Sequence, residues 1–274
     1  MADTLAALAQ LNSQPDVAEN LEVVSRLVAQ AAGRGASIVV LPENFALMGA
    51  SEIEKAAAAE ILAGDARGRI VDTLRGLATT HRVNIIGGGM PEVSDDAARP
   101  FNSCVCIDDV GQLVAVYRKI HLFDVDLADG TTFMESATTS AGRDVVVCEM
   151  AGVRIGLSIC YDVRFPELYR QLREKGADLV VVPAAFTLTT GRDHWHALLR
   201  ARAIEQQVWV AAPGQWGLHP KGRQTFGKSI FVDPWGDVVA QAPEGVGIVI
   251  GELRQGRLEE VRKAMPVARH HVLV

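Results

Sequence analysis

An α/β fold with two similar halves, its sheets stacked face to face and its helices outside, is what this 274-residue sequence predicts, and three features predict it. Buried-type strands alternate with amphipathic helices along the chain. Gly35-Ala36-Ser37-Ile38-Val39-Val40-Leu41-Pro42 aligns without gaps with Gly176-Ala177-Asp178-Leu179-Val180-Val181-Val182-Pro183, each behind a helical stretch. Ser103 to Val114, ending in a Gly-Gln-Leu-Val turn, matches Ser229 to Val239, which turns at Trp235-Gly236-Asp237. Both halves run helix, buried strand, helix, strand, hairpin, so residues 1–274 are read as one internally repeated domain.

Each element has a local reason. Thr4 to Leu11 is an apolar run, and Val17, Leu21, Val24, Leu27, Val28 and Ala31 then recur at helical spacing until Gly33 and Gly35. Ile38 to Leu41 is an unbroken aliphatic run, the mark of a strand covered on both faces, and completes a βαβ unit before Pro42-Glu43. Helical stretches at Ile53–Ala63 and Arg67–Thr80 lead to the strand Val83–Ile86, after which Gly87 to Gly89 reads as a turn. Asn102 to Lys119 is a hairpin around Asp108-Asp109-Val110-Gly111. The segment His121 to Arg143 then shows neither period, and loops of that length are usually functional. Val145–Cys148 and Val153–Ile159 form a strand pair turning at Ala151-Gly152, and a helix follows from about Phe165 to Lys175.

The charge balance is 27 basic against 33 acidic residues, a net −6, which gives no footprint for a polyanion, so neither nucleic acid nor an anionic membrane is an expected partner. Hydrophobic residues at 49% and charged residues at 22% fit a folded globular chain. No apolar stretch is long enough to span a bilayer, and Met1 to Leu11 lacks the basic start of a signal peptide, so a cytoplasmic location is expected. Cys104, Cys106, Cys148 and Cys160 then read as reduced thiols.

Three residue types that complement one another stand at strand ends, where α/β sheets place their sites: Glu43, Lys119 and Cys160. A thiol is a strong nucleophile once deprotonated, a carboxylate can take its proton, and an ammonium stabilises negative charge on a carbonyl oxygen. Asp162 and Pro166 suggest a helix start just after Cys160, which would favour the thiolate. Taken singly, each has a bland reading: a buried small hydrophobe, a surface acid, a solvated hairpin end. At the position of Glu43 the second repeat carries Ala184, so one site per chain is expected.

Leu41-Pro42-Glu43-Asn44-Phe45, Tyr117-Arg118-Lys119-Ile120-His121-Leu122-Phe123-Asp124 and Gly156-Leu157-Ser158-Ile159-Cys160-Tyr161-Asp162-Val163-Arg164-Phe165-Pro166-Glu167 resemble the three signature segments of the nitrilase superfamily of carbon–nitrogen hydrolases. The resemblance implies a four-layer α-β-β-α sandwich, a Glu43–Lys119–Cys160 triad, Glu135 as the family's second glutamate, no metal or organic cofactor, and a homodimer. That dimer would use the helix after Cys160 and the one around His194 to Gln206; the apolar faces that the sequence offers there, Leu168 with Leu172 and Leu198 with Ala201 and Ile204, could equally face the core.

Two branches of the superfamily compete. Arg200-Ala201-Arg202-Ala203-Ile204-Glu205 and Asp233-Pro234-Trp235-Gly236 look closer to deaminated glutathione amidases; Leu122-Phe123-Asp124 and Leu188-Thr189-Thr190-Gly191 look closer to omega-amidases. The longer match favours the first, giving a small linear carboxylated amide as substrate and acid and ammonia as expected products. Nitrile hydrolysis and a non-catalytic binding role on the same fold are the alternatives. In the expected chemistry Glu43 is the base, Cys160 attacks, Lys119 and the Tyr161 backbone N–H hold the oxyanion, and Glu135 orients Lys119 or the amide. Arg164 would pair a substrate carboxylate, with Tyr161, Phe186 and Thr187 as further contacts. A Cys–His hydrolase through His121 explains neither Glu43 nor Lys119, and no His-Glu-x-x-His pattern supports zinc.

Overall fold

Alternate residues of β1 (Thr4–Gln10) and β2 (Ile38–Leu41) face two different cores, because successive side chains of a strand point to opposite sides. Ala6, Leu8, Ile38 and Val40 pack with residues of the other half, while Ala7, Ala9, Val39 and Leu41 pack under helices. Between these strands runs α1 (Val17–Gly33), opened by Asp16, whose carboxylate accepts from the N–H groups of Ala18 and Glu19 and so satisfies two otherwise orphaned donors. Its Leu21, Val24, Leu27, Val28 and Ala31 form the buried stripe that the sequence spacing predicts.

The computed structural model describes residues 3–49, 51–62, 67–126 and 132–272. After α2 (Glu52–Ala57) and α3 (Arg69–His81) come β3 (Asn84–Glu92), β4 (Phe101–Ile107) and β5 (Leu113–Arg118). A small hairpin, β6 (Asp124–Asp126) with β7 (Thr132–Met134), precedes β8 (Val147–Met150) and β9 (Val153–Leu157). Next are α4 (Pro166–Glu174), β10 (Leu179–Val181), α5 (Leu188–Gln206) and β11 (Trp209–Ala212). A second hairpin, β12 (Trp216–Leu218) with β13 (Gln224–Phe226), leads to β14 (Ile230–Val232), β15 (Val238–Gln241), β16 (Gly247–Leu253), α6 (Gln255–Ala264) and α7 (Val267–His270).

The strand orders are β16-β1-β2-β3-β4-β5 and β15-β14-β11-β10-β9-β8. Read from their centres, β1-β2-β3-β4-β5 and β9-β10-β11-β14-β15 follow one plan: three parallel strands, then an antiparallel hairpin. An antiparallel strand, β16 or β8, completes each sheet beside its first strand. The internal repeat and the four-layer α-β-β-α sandwich are therefore both present, with α1 and α3 outside one sheet and α4 and α5 outside the other. Among the described residues no helix is long and apolar enough to cross a membrane.

Three expectations need correction, and one left open is decided. The helix read over Ile53–Ala63 ends at Ala57, because Glu60 and Ile61 pair as β-bridges with Glu92 and Arg67; Ala63 itself lies outside the described residues. Gly87 to Gly89 is no turn but the middle of β3, where the register shifts. The segment read as aperiodic, His121 to Arg143, contains the β6–β7 hairpin and a short 3-10 turn at Glu135–Ala137, residues 127–131 lying outside the described residues. Of the apolar faces that could serve a dimer or the core, Leu168 and Leu172 pack in the chain's own core, whereas Ile204 is exposed.

The glycines of β3 have a packing reason. A Cβ on Gly88 would collide with the Pro183 ring and the Leu41 carbonyl, so β3 and the end of β10 approach only because Gly88 has no side chain. Gly88→Ala should lower the stability measured by urea unfolding by about 2 to 3 kcal/mol. A midpoint equal to wild type would contradict this sheet-to-sheet contact.

Candidate active site

Glu43 follows β2, Lys119 follows β5 and Cys160 follows β9, and the stacking of the two sheets brings these ends to one cavity of about 210 Å³. The Lys119 ammonium donates to Glu43 Oε1 and to Glu135 Oε2, both at 2.9 Å. Lys119 is 2% and Glu43 3% exposed, so this pairing is screened by almost no water. The remaining carboxylate lone pairs are also used. Glu43 Oε2 accepts from the backbone N–H of Ala185 at 2.9 Å, Glu135 Oε2 accepts from that of Phe123 at 2.7 Å, and Asn102 Nδ2 reaches both glutamates, at 3.0 and 3.4 Å. The Lys119 N–H in turn donates to the Asn102 carbonyl at 2.8 Å, fixing the ammonium's stem to β4.

Burial alone would push the Lys119 ammonium down, but Glu135 and Glu43 beside it outweigh burial and hold it well above the ordinary lysine range. Burial likewise opposes ionisation of Glu135, and Lys119, then Lys55, overcome it and hold the carboxyl at about 2. Cys160 behaves in the opposite way. Burial and the facing Glu43 carboxylate push its thiol well above the ordinary cysteine range, against the weaker pull of Lys119. The thiol, not the expected thiolate, is therefore the favoured resting form, with Glu43 the facing carboxylate.

Cys160 sits at a strained corner. Its φ of 48° is left-handed, an uncommon conformation for a residue with a Cβ, and its N–H donates to the Pro183 carbonyl at 2.8 Å. Asp162 holds this corner rather than capping the next helix. α4 begins with Pro166 and has no side-chain cap. The buried Asp162 carboxylate accepts from the Ile159 and His121 backbone N–H groups at 2.8 and 3.0 Å, from the Tyr117 hydroxyl at 2.6 Å, and from the His121 ring at 2.7 Å. His121 also stacks on Phe165 with ring centroids 3.7 Å apart, so its ring is committed to positioning this turn.

Tyr161, Arg164, Phe186 and Thr187 all line the cavity with Cys160, as their positions in the sequence suggest. Arg164 pairs with neither Glu167 nor Asp162; its guanidinium lies 5.4 Å from the centre of the Phe186 ring and 5.7 Å from that of Tyr161, and contacts His194 Nδ1 at 3.3 Å. Residues that sequence reasoning missed are Asn102, Lys55 and Arg223, which share the cavity, and the Ala185 N–H. Asn102 lies at the start of a strand and Arg223 on a separate hairpin, with no spacing that ties either to the triad. Among the described residues no cluster of three or more His, Cys, Asp or Glu is disposed to hold a metal ion.

Comparison with known proteins agrees with this geometry. A carbon–nitrogen hydrolase family model matches residues 5–263. A deaminated glutathione amidase of Synechocystis is 45% identical over 278 residues, covering all of both chains. In structure, the nitrilase and fragile histidine triad fusion protein of Caenorhabditis elegans superposes with a TM-score of 0.91 at 38% identity, over 99% of this chain and 66% of that longer one. Saccharomyces cerevisiae Nit3, described as a member of branch 10 of the nitrilase superfamily, gives 0.88 at 32% identity over 97% and 95% of the two chains. The chain belongs to the carbon–nitrogen hydrolase family, as its three signature segments suggested, and is a hydrolase of carbon–nitrogen bonds.

The depressed Glu135 carboxyl has a consequence for acid stability. Its folded pKa lies below its unfolded one, so the stabilisation is complete above the ordinary carboxylate range and is lost as pH falls from 4.5 towards about 2. Relative to the protonated carboxyl in the same place, the full amount is about 3 kcal/mol. Urea midpoints measured at several pH values from about 5.5 down to about 3 should fall more steeply for wild type than for Glu135→Gln. Parallel curves would show that Glu135 is not held ionised by Lys119.

Proposed function

We propose that residues 1–274 act as one cytoplasmic amidase domain that uses Cys160 to hydrolyse deaminated glutathione. The observation that carries this reading is the buried Glu43–Lys119–Glu135 lattice facing the Cys160 thiol. The 45% identity to a Synechocystis protein named for that substrate supports the choice of amide.

Because the thiol rests protonated, attack and proton transfer belong together. Glu43 takes the Cys160 proton as Sγ bonds to the carbonyl carbon, and negative charge moves to the carbonyl oxygen, where the Lys119 ammonium and the Tyr161 backbone N–H receive it. As the C–N bond breaks, Glu43 returns the proton to the departing nitrogen and a thioester remains on Cys160. A water then attacks that carbon, giving its proton to Glu43, and the proton passes back to sulfur as the thioester opens. No cofactor enters this sequence. Glu135, paired to Lys119 and bonded to Asn102, serves to hold the ammonium in place. For this substrate the leaving group is the amine of a Cys-Gly dipeptide, not the ammonia expected above, because the cleaved bond is a secondary amide. Arg164, over Phe186 and Tyr161 in the cavity that Thr187 also lines, pairs the carboxylate of the acyl part.

The omega-amidase reading keeps some support, since Phe123 and Thr190, both in segments that resemble that branch, line the cavity. A homodimer through α5 is part of the proposal; Ile204 on that helix is exposed and packs against Gly236, and the neighbouring Trp235 is exposed as well.

Purified protein should release 2-oxoglutarate and the dipeptide from deaminated glutathione with a kcat/KM at least about tenfold above its ammonia release from 2-oxoglutaramate. Cys160→Ala should lower the first activity by about four orders of magnitude. Faster turnover of 2-oxoglutaramate or of an aliphatic nitrile would reassign the substrate. Silence on every amide and nitrile from a folded protein would favour the binding-protein reading.

A further inference from the structure

Two arginines, Arg164 and Arg223, line the cavity that holds Cys160. Arg118 pairs with Glu92, Arg202 with Glu205, Arg257 with Asp233 and Arg262 with Asp178. Among the described residues no carboxylate lies within ion-pair distance of Arg164 or Arg223, and both side chains line the cavity that holds Cys160. Arg164 already has a use in the amidase reading; Arg223 has none.

Arg223 is fixed in advance. It closes the turn of the β12–β13 hairpin, accepting from the His219 N–H at 2.8 Å, and that hairpin is pinned by the buried His219 ring, which contacts Thr225 Oγ1 at 2.7 Å and the Ser13 carbonyl at 2.9 Å. One guanidinium nitrogen donates to the Ala185 carbonyl at 3.1 Å, and the group lies 5.7 Å from the centre of the Phe133 ring. Its Nε is buried without a partner. A buried guanidinium donor left unpaired is costly, and a carboxylate accepting from it would remove that cost.

Its position says which carboxylate. The Ala185 residue that accepts from Arg223 through its carbonyl donates through its N–H to Glu43. In the proposed mechanism Glu43 delivers the proton to the departing nitrogen, so the leaving group lies on the Ala185 side of the cleaved bond. Arg164 lies over the Tyr161 and Phe186 rings and has no bond to Ala185. We infer that Arg223 is a specificity-determining residue that binds the carboxylate of the leaving group, so that the site takes amides charged at both ends. This rests on the amidase reading above, and it explains why a substrate with an amine-side carboxylate would be preferred over a primary amide.

Binding to Cys160→Ala protein tests it without turnover. Calorimetry would compare deaminated glutathione with the same molecule carrying its glycine carboxylate as a carboxamide, in Cys160→Ala and in Cys160→Ala with Arg223→Gln. In the single variant the acid form should bind about 10- to 100-fold more tightly than the carboxamide. In the double variant that ratio should fall to within about threefold, and Arg223→Lys in place of Gln should restore part of it. An undiminished ratio, or equal weakening of both ligands, would overturn the assignment, the second by marking Arg223 as merely structural. Failure of wild type to hydrolyse deaminated glutathione would overturn the substrate named above, whereas loss of the Arg223 assignment is read separately, from the binding ratio in the Cys160→Ala background.

Discussion

The buried ammonium of Lys119 is the constraint from which the rest of the site follows. A lone charge so far from water would be expelled or neutralised, so the fold must bring carboxylates to it. It brings Glu43 from the end of β2 and Glu135 from the 3-10 turn beyond β7, each 2.9 Å away. Asn102 then bridges the two carboxylates, and backbone N–H groups of Ala185 and Phe123 fill their remaining acceptor sites. Such a lattice adds little net stability, because desolvation consumes much of the Coulomb gain; what it provides is a fixed geometry in a medium where each charge is strongly felt.

The doubled sandwich makes that lattice possible. One half supplies Glu43 and Lys119 from strand ends of its sheet; the other supplies Cys160 from beyond β9 and, where the repeat has Ala184 in place of an acid, the following Ala185 N–H that holds Glu43. Glycine at position 88 lets the halves close to this distance. Asp162 takes the strained Cys160 corner from the other side, tying it to Tyr117 and His121 of the first half. The site therefore lies between the halves, and neither contains it alone.

Much of this is legible in sequence where a residue's role is local. Helix spacing in Val17–Gly33, the aliphatic run Ile38–Leu41 and the paired hairpins give the layers, and the repeat gives their doubling. Glu43, Lys119 and Cys160 stand out through motif and chemical complementarity. What was misread depends on distant partners. Gly87 to Gly89 resembles a turn until Pro183 comes against it, and Asp162 resembles a cap until Tyr117 and His121 reach it. The ionisation of Cys160 is decided by burial and by Glu43, far away in sequence, and not by a nearby helix start. Asn102 and Arg223 carry no local signal at all, since only the assembled cavity gives them neighbours.

The central claim is that Cys160 keeps its proton until substrate arrives, held by burial and the Glu43 carboxylate. The direct measurement is the ultraviolet thiolate absorbance of wild type minus that of Cys160→Ala, followed between about pH 6 and pH 9, and repeated for Glu43→Gln. The account predicts no thiolate in wild type across that range, and thiolate formation at lower pH once the facing carboxylate is removed. A wild-type thiolate titrating at or below the ordinary cysteine range would contradict it.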